Sequence, residues 1–488
     1  MKMNFRKKLY IISFIEGATV MATEITGAKL LAPFFGSSLY VWASILAITL
    51  GGLACGYFLG GKLSKKENKQ NTLAFILVLA FCFLIGMTLS NNFIFFTANY
   101  LTVIPSVIIS AFIIIFPSML LMGTSSPLII SLLTNSADDS GLNSGKIFAT
   151  STVGGIFSTF LCGFYLIPNI GISFTIICFA LLLGLASFLL IEKKNTKLIP
   201  VFIIVLASFL FLSLNRTSKT KNTIYTKDGI LGKLDVKDET QNDSVCFRKL
   251  LINNIVQSEM DLKTKKSLSE YIQFLEINLH HFKKGNALVL GLGGGLVSNM
   301  LYQNGFRVTG VEFDERIIEI AKKYFFLDTS IQTICNDARL YINNSDKKFD
   351  LIVFDIFKAE EQPSHILTLE SITKLTKLLT PNAVIVINTH GYLEGDLGLG
   401  NQCLLATLKK SGFHLKVCAK NCDPNFRNAL VFASTNKIKY TLINEIPLLK
   451  IQNPEIVNTD NSPILEKLNA EASKTWRLHY LKNYILNN

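Results

Sequence analysis

Seven long apolar runs crowd the first 214 residues, at about 9–32, 39–60, 72–89, 105–133, 147–167, 170–191 and 198–214. Most reach the roughly 17–25 residues that an α-helix needs to cross a bilayer. Seven in succession are not the core of a soluble domain. The chain is 49% hydrophobic and only 17% charged, against about 25% charged in ordinary soluble domains, and a disordered chain would be far more polar. Short linkers between the runs imply a compact helical bundle. Small residues at Gly51-Gly52, Gly60-Gly61 and Gly154-Gly155 would let membrane helices approach closely.

The net charge of +13 is unevenly placed. Residues 1–221 hold 16 Lys+Arg against 6 Asp+Glu, and residues 222–488 hold 32 against 29. A nucleic-acid-binding domain would carry its excess in the polar half, so nucleic acid is not an expected partner. The excess lies instead at Lys2, Arg6, Lys7 and Lys8, at Lys62, Lys65, Lys66 and Lys69, and at Lys193, Lys194 and Lys197. These fall on one side if each run crosses once, and that side is cytoplasmic by the positive-inside rule. Seven crossings then place the polar half after 214 on the opposite side, and a cytoplasmic placement of that half needs an even number. Either 91–134, with Pro105, Pro117 and Pro127, crosses twice, or one run does not cross fully. The first run carries Glu16, Glu24 and Lys29; Glu24 either pairs within the bundle or lines a polar path, and Glu16 is the weaker candidate. No secretory cleavage pattern follows the basic tail, so the first run is an anchor. The nine Cys make no disulfide framework. Cys418 and Cys422 lack a second pair, so no metal is expected.

After a polar linker at 215–223 the pattern changes. Residues 224–256 alternate like strands, with Asn253-Asn254 as a turn, and 266–282 have helical spacing through Leu268, Ile272, Leu275 and Leu279. An α/β series follows. Strands are expected at 287–290, 306–311, 331–334, 351–354 and 383–387, with helices at 296–304 and 314–325. Such alternation implies a parallel sheet covered by helices, with ligands beyond the carboxyl ends of the strands. Glu312, Asp337 and Asp355 fall at such ends. The loop Gly291-Leu-Gly-Gly-Gly295 lies between a strand and a helix, where glycines bring backbone amides close to a ligand. Glu312 follows 17 residues after Gly295, where a carboxylate can take both ribose hydroxyls. Position 296 is Leu, so the dinucleotide fingerprint is incomplete. Glycines at 291, 293 and 295 suit an adenosyl-sulfonium cofactor better than NAD.

Residues 224–465 resemble the spermidine synthase (polyamine aminopropyltransferase) family. The matching pieces are Leu250-Leu-Ile-Asn-Asn-Ile-Val-Gln257, Leu288-Val-Leu-Gly-Leu-Gly-Gly-Gly295, Gly310-Val-Glu-Phe-Asp314, Asn336-Asp-Ala338 and Val353-Phe-Asp-Ile-Phe357. Ala28-Lys-Leu-Leu-Ala-Pro33, Gly36-Ser-Ser-Leu-Tyr40 and Gly56-Tyr-Phe-Leu-Gly-Gly-Lys62 resemble the membrane-fused branch of that family. The resemblance implies that Glu312 binds the ribose and that Asp337 with Ala338 meets the adenine. Gln257 and Tyr271 would face the transferred group and the acceptor, Asp355 would receive the attacking amine, and Gly291, Gly293, Gly294 and Gly295 would cradle the co-substrate. Two departures stand out. Family members place Asp at the position of Gly294, to hold the aminopropyl amine, and a second Asp at the position of Lys358, to help bind a diamine. A cation at 358 disfavours a diammonium acceptor, although Glu360 and Glu361 lie nearby.

The expected architecture is an N-terminal multi-pass helical membrane bundle, residues 1–215 with seven or eight crossings. A C-terminal Rossmann-like α/β domain follows at 222–488, with a β-region at 222–262 and a core at 285–440. The expected activity is aminopropyl transfer from decarboxylated S-adenosylmethionine to a small amine, without a metal, at a bacterial inner membrane, with the catalytic domain in the cytoplasm. The bilayer and the amine are the expected partners, and a homodimer is left open. The alternatives are a methyl- or alkyltransferase using S-adenosylmethionine, or a nucleoside-sensing membrane carrier. Plainer readings stand beside the site residues: Asp355 capping its loop, Tyr271 as an ordinary helix residue, His365 and His390 on surface loops, and His280-His281 as a helix end.

Overall fold

The computed structural model describes residues 4–35, 39–134, 136, 138–190, 222–227, 232–241, 244–357, 362–390, 392–419, 428–447, 451 and 454–485. It divides into two compact units, Met1–Lys221 with Lys227–Gly232, and Asn222–Thr226 with Lys233–Asn488.

The first unit is helical: α1 (Phe5–Phe35), α2 (Leu39–Leu63), α3 (Lys69–Met87), α4 (Asn91–Tyr100), α5 (Val103–Ile114), α6 (Phe116–Leu133), α7 (Ser140–Phe160), a π-helical turn (Leu161–Leu166) and α8 (Ile167–Phe188). Five described segments are long and apolar enough to cross a membrane: Phe5–Ala32, Val41–Leu63, Lys69–Met87, Phe116–Leu133 and Ser140–Phe188. The last is broken at Gly171, whose φ of +83° interrupts the helix at the start of the second of the two apolar runs read there. The run at 198–214 lies outside the described residues. Within 91–134 only α6 has crossing length. The 10 and 12 residues of α4 and α5 make helices of about 15 and 18 Å, short of a hydrocarbon core of about 30 Å. Thr97 and Ser110 join these two helices by hydroxyls 2.7 Å apart. Pro105 and Pro117 sit near helix starts, and Pro127 lies inside α6 without ending it.

Hydrogen bonds gather several chain ends at one end of the bundle. Lys8 Nζ donates to Leu189 O, Gln70 Nε2 to Leu190 O, and Lys69 Nζ to Ser131 Oγ. Lys62, Lys65 and Lys66 lie just before the start of α3, at the same end. Glycines set the closest helix contacts. A Cβ on Gly17 would overlap Ser151 O, and one on Gly154 would overlap Phe14 O, so α1 and α7 touch backbone to backbone. Gly56 meets Leu120 O and Gly123 meets Leu53 O, which brings α2 equally close to α6. Glu16, not Glu24, is the enclosed acid: it is 2% exposed and accepts from Ser151 Oγ at 3.1 Å.

The second unit opens with a four-stranded sheet of β1 (Thr223–Lys227), β2 (Leu234–Gln241), β3 (Ser244–Ile252) and β4 (Ile255–Asp261), in that order, with β2–β3 and β3–β4 antiparallel. Asn253 and Asn254 both take positive φ, 49° and 65°, and close the β3–β4 hairpin, as a two-residue turn of mirror type requires. Helix α9 (Glu270–Asn278) leads to an eight-stranded sheet. Its strands are β5 (Asn286–Leu290), β6 (Arg307–Glu312), β7 (Gln332–Cys335), β8 (Phe349–Phe354), β9 (Leu379–His390), β10 (His414–Ala419), β11 (Asn428–Ser434) and β12 (Glu445–Ile446). The order is β12-β10-β11-β9-β8-β5-β6-β7. Strands β5 to β9 are parallel, but β11, β10 and β12 add antiparallel pairs, so the sheet is mixed. Helices α10 (Leu296–Gln303), α11 (Glu315–Tyr324), α12 (Ala338–Asn344), α13 (Leu369–Leu375), α14 (Leu399–Lys410) and α15 (Leu465–Ile485) complete the unit. The chain runs from β5 outward to β6 and β7, then returns to β8 on the other side of β5. That reversal opens a crevice beyond β5 and β8, where open α/β sheets bind ligands.

Candidate active site

Asp355 and the glycine loop flank this crevice. Asp355 follows β8, and its amide donates to Leu290 O at 2.8 Å. A Cβ on Gly291, at φ +87°, would overlap Asp355 O, so only glycine lets the two chain segments pass. Tyr271 of α9 donates from its hydroxyl to Asp355 Oδ2 at 2.8 Å, and Asn388 Nδ2 of β9 donates to Oδ1 at 2.8 Å. Asn428 Nδ2 of β11 donates to Asn388 Oδ1 at 3.3 Å, which fixes the amide's orientation. Burial raises the Asp355 pKa above the usual carboxylate range, and the bonds from Asn388 and Tyr271 oppose that rise. Burial, then the Asp355 charge, raises the Tyr271 pKa well above 10, so its proton stays in place. A carboxylate held between two donors, with its pKa raised by burial, is suited to accept a proton. Neither Asp355 nor Tyr271 is idle: each has its partner across 84 residues of sequence.

Glu312, at the end of β6, is 7% exposed. Its Oε2 accepts from Leu292 N and its Oε1 from Asp314 N, both at 3.0 Å. Burial raises its pKa and these backbone bonds oppose the rise. Each oxygen retains a further acceptor direction, so two neighbouring hydroxyls fit it. Gly294 N donates to Ser258 Oγ of β4 at 2.8 Å, which clips the first sheet to the loop. Ser258, not Gln257, makes that contact; Gln257 lies beside it, half-buried, with Nε2 3.4 Å from Ile255 O. A Cβ on Gly294 would stand 2.9 Å from Phe325 Cδ1 and 3.0 Å from Ser258 Cβ, so an acidic side chain there would require Phe325 or Ser258 to shift.

Asp337 caps α12 through Leu340 N, and its other oxygen lies 3.6 Å from His365 Nε2. Ala338 is buried beside it. Lys358, Glu360 and Glu361 lie outside the described residues, as does the His390 side chain. Among the described residues no group of three His, Cys, Asp or Glu converges on a metal position. The residues that sequence reasoning missed are Ser258, Asn388 and Asn428. Asn388 carried a legible signal, since it follows the buried run Ala383–Ile387 at a strand's carboxyl end, as Asp355 follows β8.

A mixed sheet with a parallel core, a glycine loop, an acid ending the second parallel strand and a second acid across the switch point define an S-adenosylmethionine-type Rossmann-like domain. Comparison with known proteins narrows this. Residues 266–403 match the spermine/spermidine synthase domain, and the C-terminal unit is spermidine synthase-like. The chain is similar to polyamine aminopropyltransferase 2 of Aquifex aeolicus, 22% identical over 446 residues, 84% of either chain. It is also similar to the N-terminal histidine N-methyltransferase of Emericella nidulans, 32% identical over 162 residues, 31% of this chain and 28% of that one. A solved structure of a probable spermidine synthase from Corynebacterium glutamicum aligns over 44% of this chain and 80% of that one, at 17% identity and a TM-score of 0.39. The chain spans 28–38% of the length of the first three curated relatives. The family's polyamine aminopropyltransferases are transferases.

Proposed function

We propose that this protein is a membrane-bound aminopropyltransferase that moves an aminopropyl group from decarboxylated S-adenosylmethionine to a small amine. The observation that carries this reading is the Tyr271–Asp355–Asn388 cluster beside the Gly291–Gly295 loop. Glu312 would take the ribose hydroxyls, and Asp337 with Ala338 would meet the adenine. An alkylammonium must lose a proton before its nitrogen can attack. Asp355 orients that nitrogen and accepts the proton. The nitrogen lone pair then forms the new C–N bond, and the C–S bond pair leaves on sulfur as neutral methylthioadenosine. Tyr271 keeps its proton and holds Asp355 in place. Alignment of amine and carbon supplies much of the remaining rate.

Membrane attachment rests on the five apolar helical segments. The lysine-bearing end of the bundle is read as cytoplasmic, in a bacterial inner membrane, with the bilayer and the amine as partners. A second reading, methyl or aminocarboxypropyl transfer from S-adenosylmethionine, draws on Gly294. The decarboxylated donor ends in a bare ammonium, and this loop offers it no carboxylate.

The test is to incubate the protein in lipid with either donor and an amine mixture and follow products by mass. Methylthioadenosine formed only from the decarboxylated donor, with an amine of increased mass, is the expected result. S-adenosylhomocysteine would establish methyl transfer instead. Methylthioadenosine from intact S-adenosylmethionine would mean aminocarboxypropyl transfer. Nucleoside binding without a product from any amine would favour the sensing carrier.

A further inference from the structure

Arg339 lies two residues beyond Asp337, and its guanidinium ties together three parts of the second unit. Nη1 donates to His365 O and Thr368 Oγ1, both at 2.8 Å, and to Asp460 Oδ1 at 3.1 Å. Nη2 donates to Asp460 Oδ2 at 2.8 Å. Thr368 Oγ1 donates to Asp460 Oδ1 at 2.7 Å, and Asp460 N donates to Glu370 Oε2 at 2.9 Å. Asn458, fully buried, continues the attachment. Its Nδ2 donates to Ser364 O and Leu367 O, and its carbonyl accepts from Leu369 N. Glu466 N donates to Ser364 Oγ. Residues 458–466 therefore form a strap along 364–370, on the stretch of chain that leaves Asp355. The near end of that stretch is also anchored, because Gln362 Nε2 donates to Asn388 O at 2.7 Å, and Asn388 itself holds Asp355.

We propose that Arg339 is a positioning residue that couples the nucleoside side of the site to its acceptor side through Asp460 and the strap. The proposal rests on the reading that Asp337 and Ala338 meet a nucleoside. A nucleoside seated there steadies the start of α12. Arg339 passes that restraint to residues 362–370, whose near end is tied to Asn388 beside Asp355. A paired charge that is 44% exposed on the Asp460 side contributes little to stability by itself. The information lies in geometry: a planar fork meets a carboxylate, a hydroxyl and a carbonyl at once. Lysine keeps the charge and loses the fork.

The experiment uses full-length protein in lipid, with Arg339→Lys, Asp460→Asn and the double variant. Hydrogen exchange in 362–370 is followed with and without 5′-methylthioadenosine, beside calorimetry for that nucleoside and steady-state kinetics for the amine. In the wild type the nucleoside slows exchange in 362–370. Each single variant is expected to lose about tenfold of that protection while nucleoside affinity changes less than about twofold. The amine KM rises about tenfold, kcat changes far less, and the double variant is no worse than either single one. Protection transmitted unchanged in both single variants would overturn the coupling. So would kcat and nucleoside affinity falling together, the mark of general loosening. Failure of methylthioadenosine to bind the wild type sinks the nucleoside reading, and the coupling with it. Binding without transmitted protection sinks the coupling alone.

Discussion

Replacing Asn388 by Ala tests the site at its least obvious member. Burial raises the Asp355 pKa, and the bond from Asn388 Nδ2, at 2.8 Å, is the foremost influence against that rise. A hydrogen bond to a charged group contributes about 1.5–3 kcal/mol, which corresponds to roughly ten- to hundredfold in an equilibrium. Alanine removes that contribution from the ionised form alone, so the protonated carboxyl gains. A protonated Asp355 cannot accept the amine's proton. The acid limb of kcat/KM therefore moves to higher pH, and activity below the new limb falls by up to that factor. Well above the limb the base is ionised again and most activity returns. The assay is kcat/KM from pH 5 to 9 on the full protein in lipid with its responsive amine. Asn428→Ala is the graded control, since it removes only the 3.3 Å bond that orients Asn388; it should shift the limb the same way by less. An equal loss at every pH with the limb unmoved would refute the argument and reduce Asn388 to a packing residue. A limb that moves to lower pH would show that the sign is wrong.

Asp355→Asn should lower turnover by about 10²–10⁴ while methylthioadenosine binding, read by calorimetry, persists. Because the folded pKa of Asp355 is raised, its contribution to stability is full below the unfolded value and is lost as pH rises through the folded one. Asn388→Ala strengthens that dependence, whereas Asp355→Asn removes it, so thermal scans of the Asn variant at neutral pH should show a higher Tm than wild type. Glu312→Gln replaces one acceptor oxygen by a donor and removes the charge that would accept from the ribose hydroxyls; nucleoside affinity should fall by roughly tenfold or more, measured by calorimetry, because a hydrogen bond to a charged group contributes about 1.5–3 kcal/mol. Gly294→Asp forces a Cβ to 2.9 Å from Phe325 and should destabilise the protein by about 1–3 kcal/mol, with Phe325→Leu in the same chain recovering part of the lost Tm.

The parallel strands were legible because each is a short buried run ending in a polar residue. Val353-Phe354 before Asp355 and Val311 before Glu312 announce both the strand and the place where its side chains meet a ligand. The antiparallel extension was less legible. Between β10 and β11 the sequence Asp423-Pro424-Asn425 signals a turn, but a turn does not place the pair in the sheet, and their position beside β9 depends on contacts across the whole unit. The same limit hid Asn428 and the pairing that gives Asn388 its role, although the place of Asn388 after the buried run Ala383–Ile387 was legible; both depend on β9 and β11 lying side by side, with Asn428 opposite His390 and Leu430 opposite Asn388. Tyr271 was named by the family resemblance, whereas its helical spacing alone fits any amphipathic-helix residue; only the packing of α9 brings its hydroxyl to Asp355. In the first unit hydropathy marked the apolar runs, but it did not separate α4 from α5 or reveal that 91–114 folds into two short pieces. Nor did it rank Glu16 above Glu24, because enclosure depends on which helix brings a serine alongside.

The glycine contacts of the bundle carry a mechanical consequence. Where Gly17 and Gly154 bring α1 and α7 backbone to backbone, and Gly56 and Gly123 do the same for α2 and α6, no side chains intervene to act as bearings. Each pair is thereby coupled into a single stiff lever, since sliding within a pair would drive Cα atoms into carbonyl oxygens. The bundle's soft modes are left to the seams between the levers. A rearrangement would therefore be taken up between these pairs and the remaining helices, with Glu16 and Ser151 riding together inside one pair.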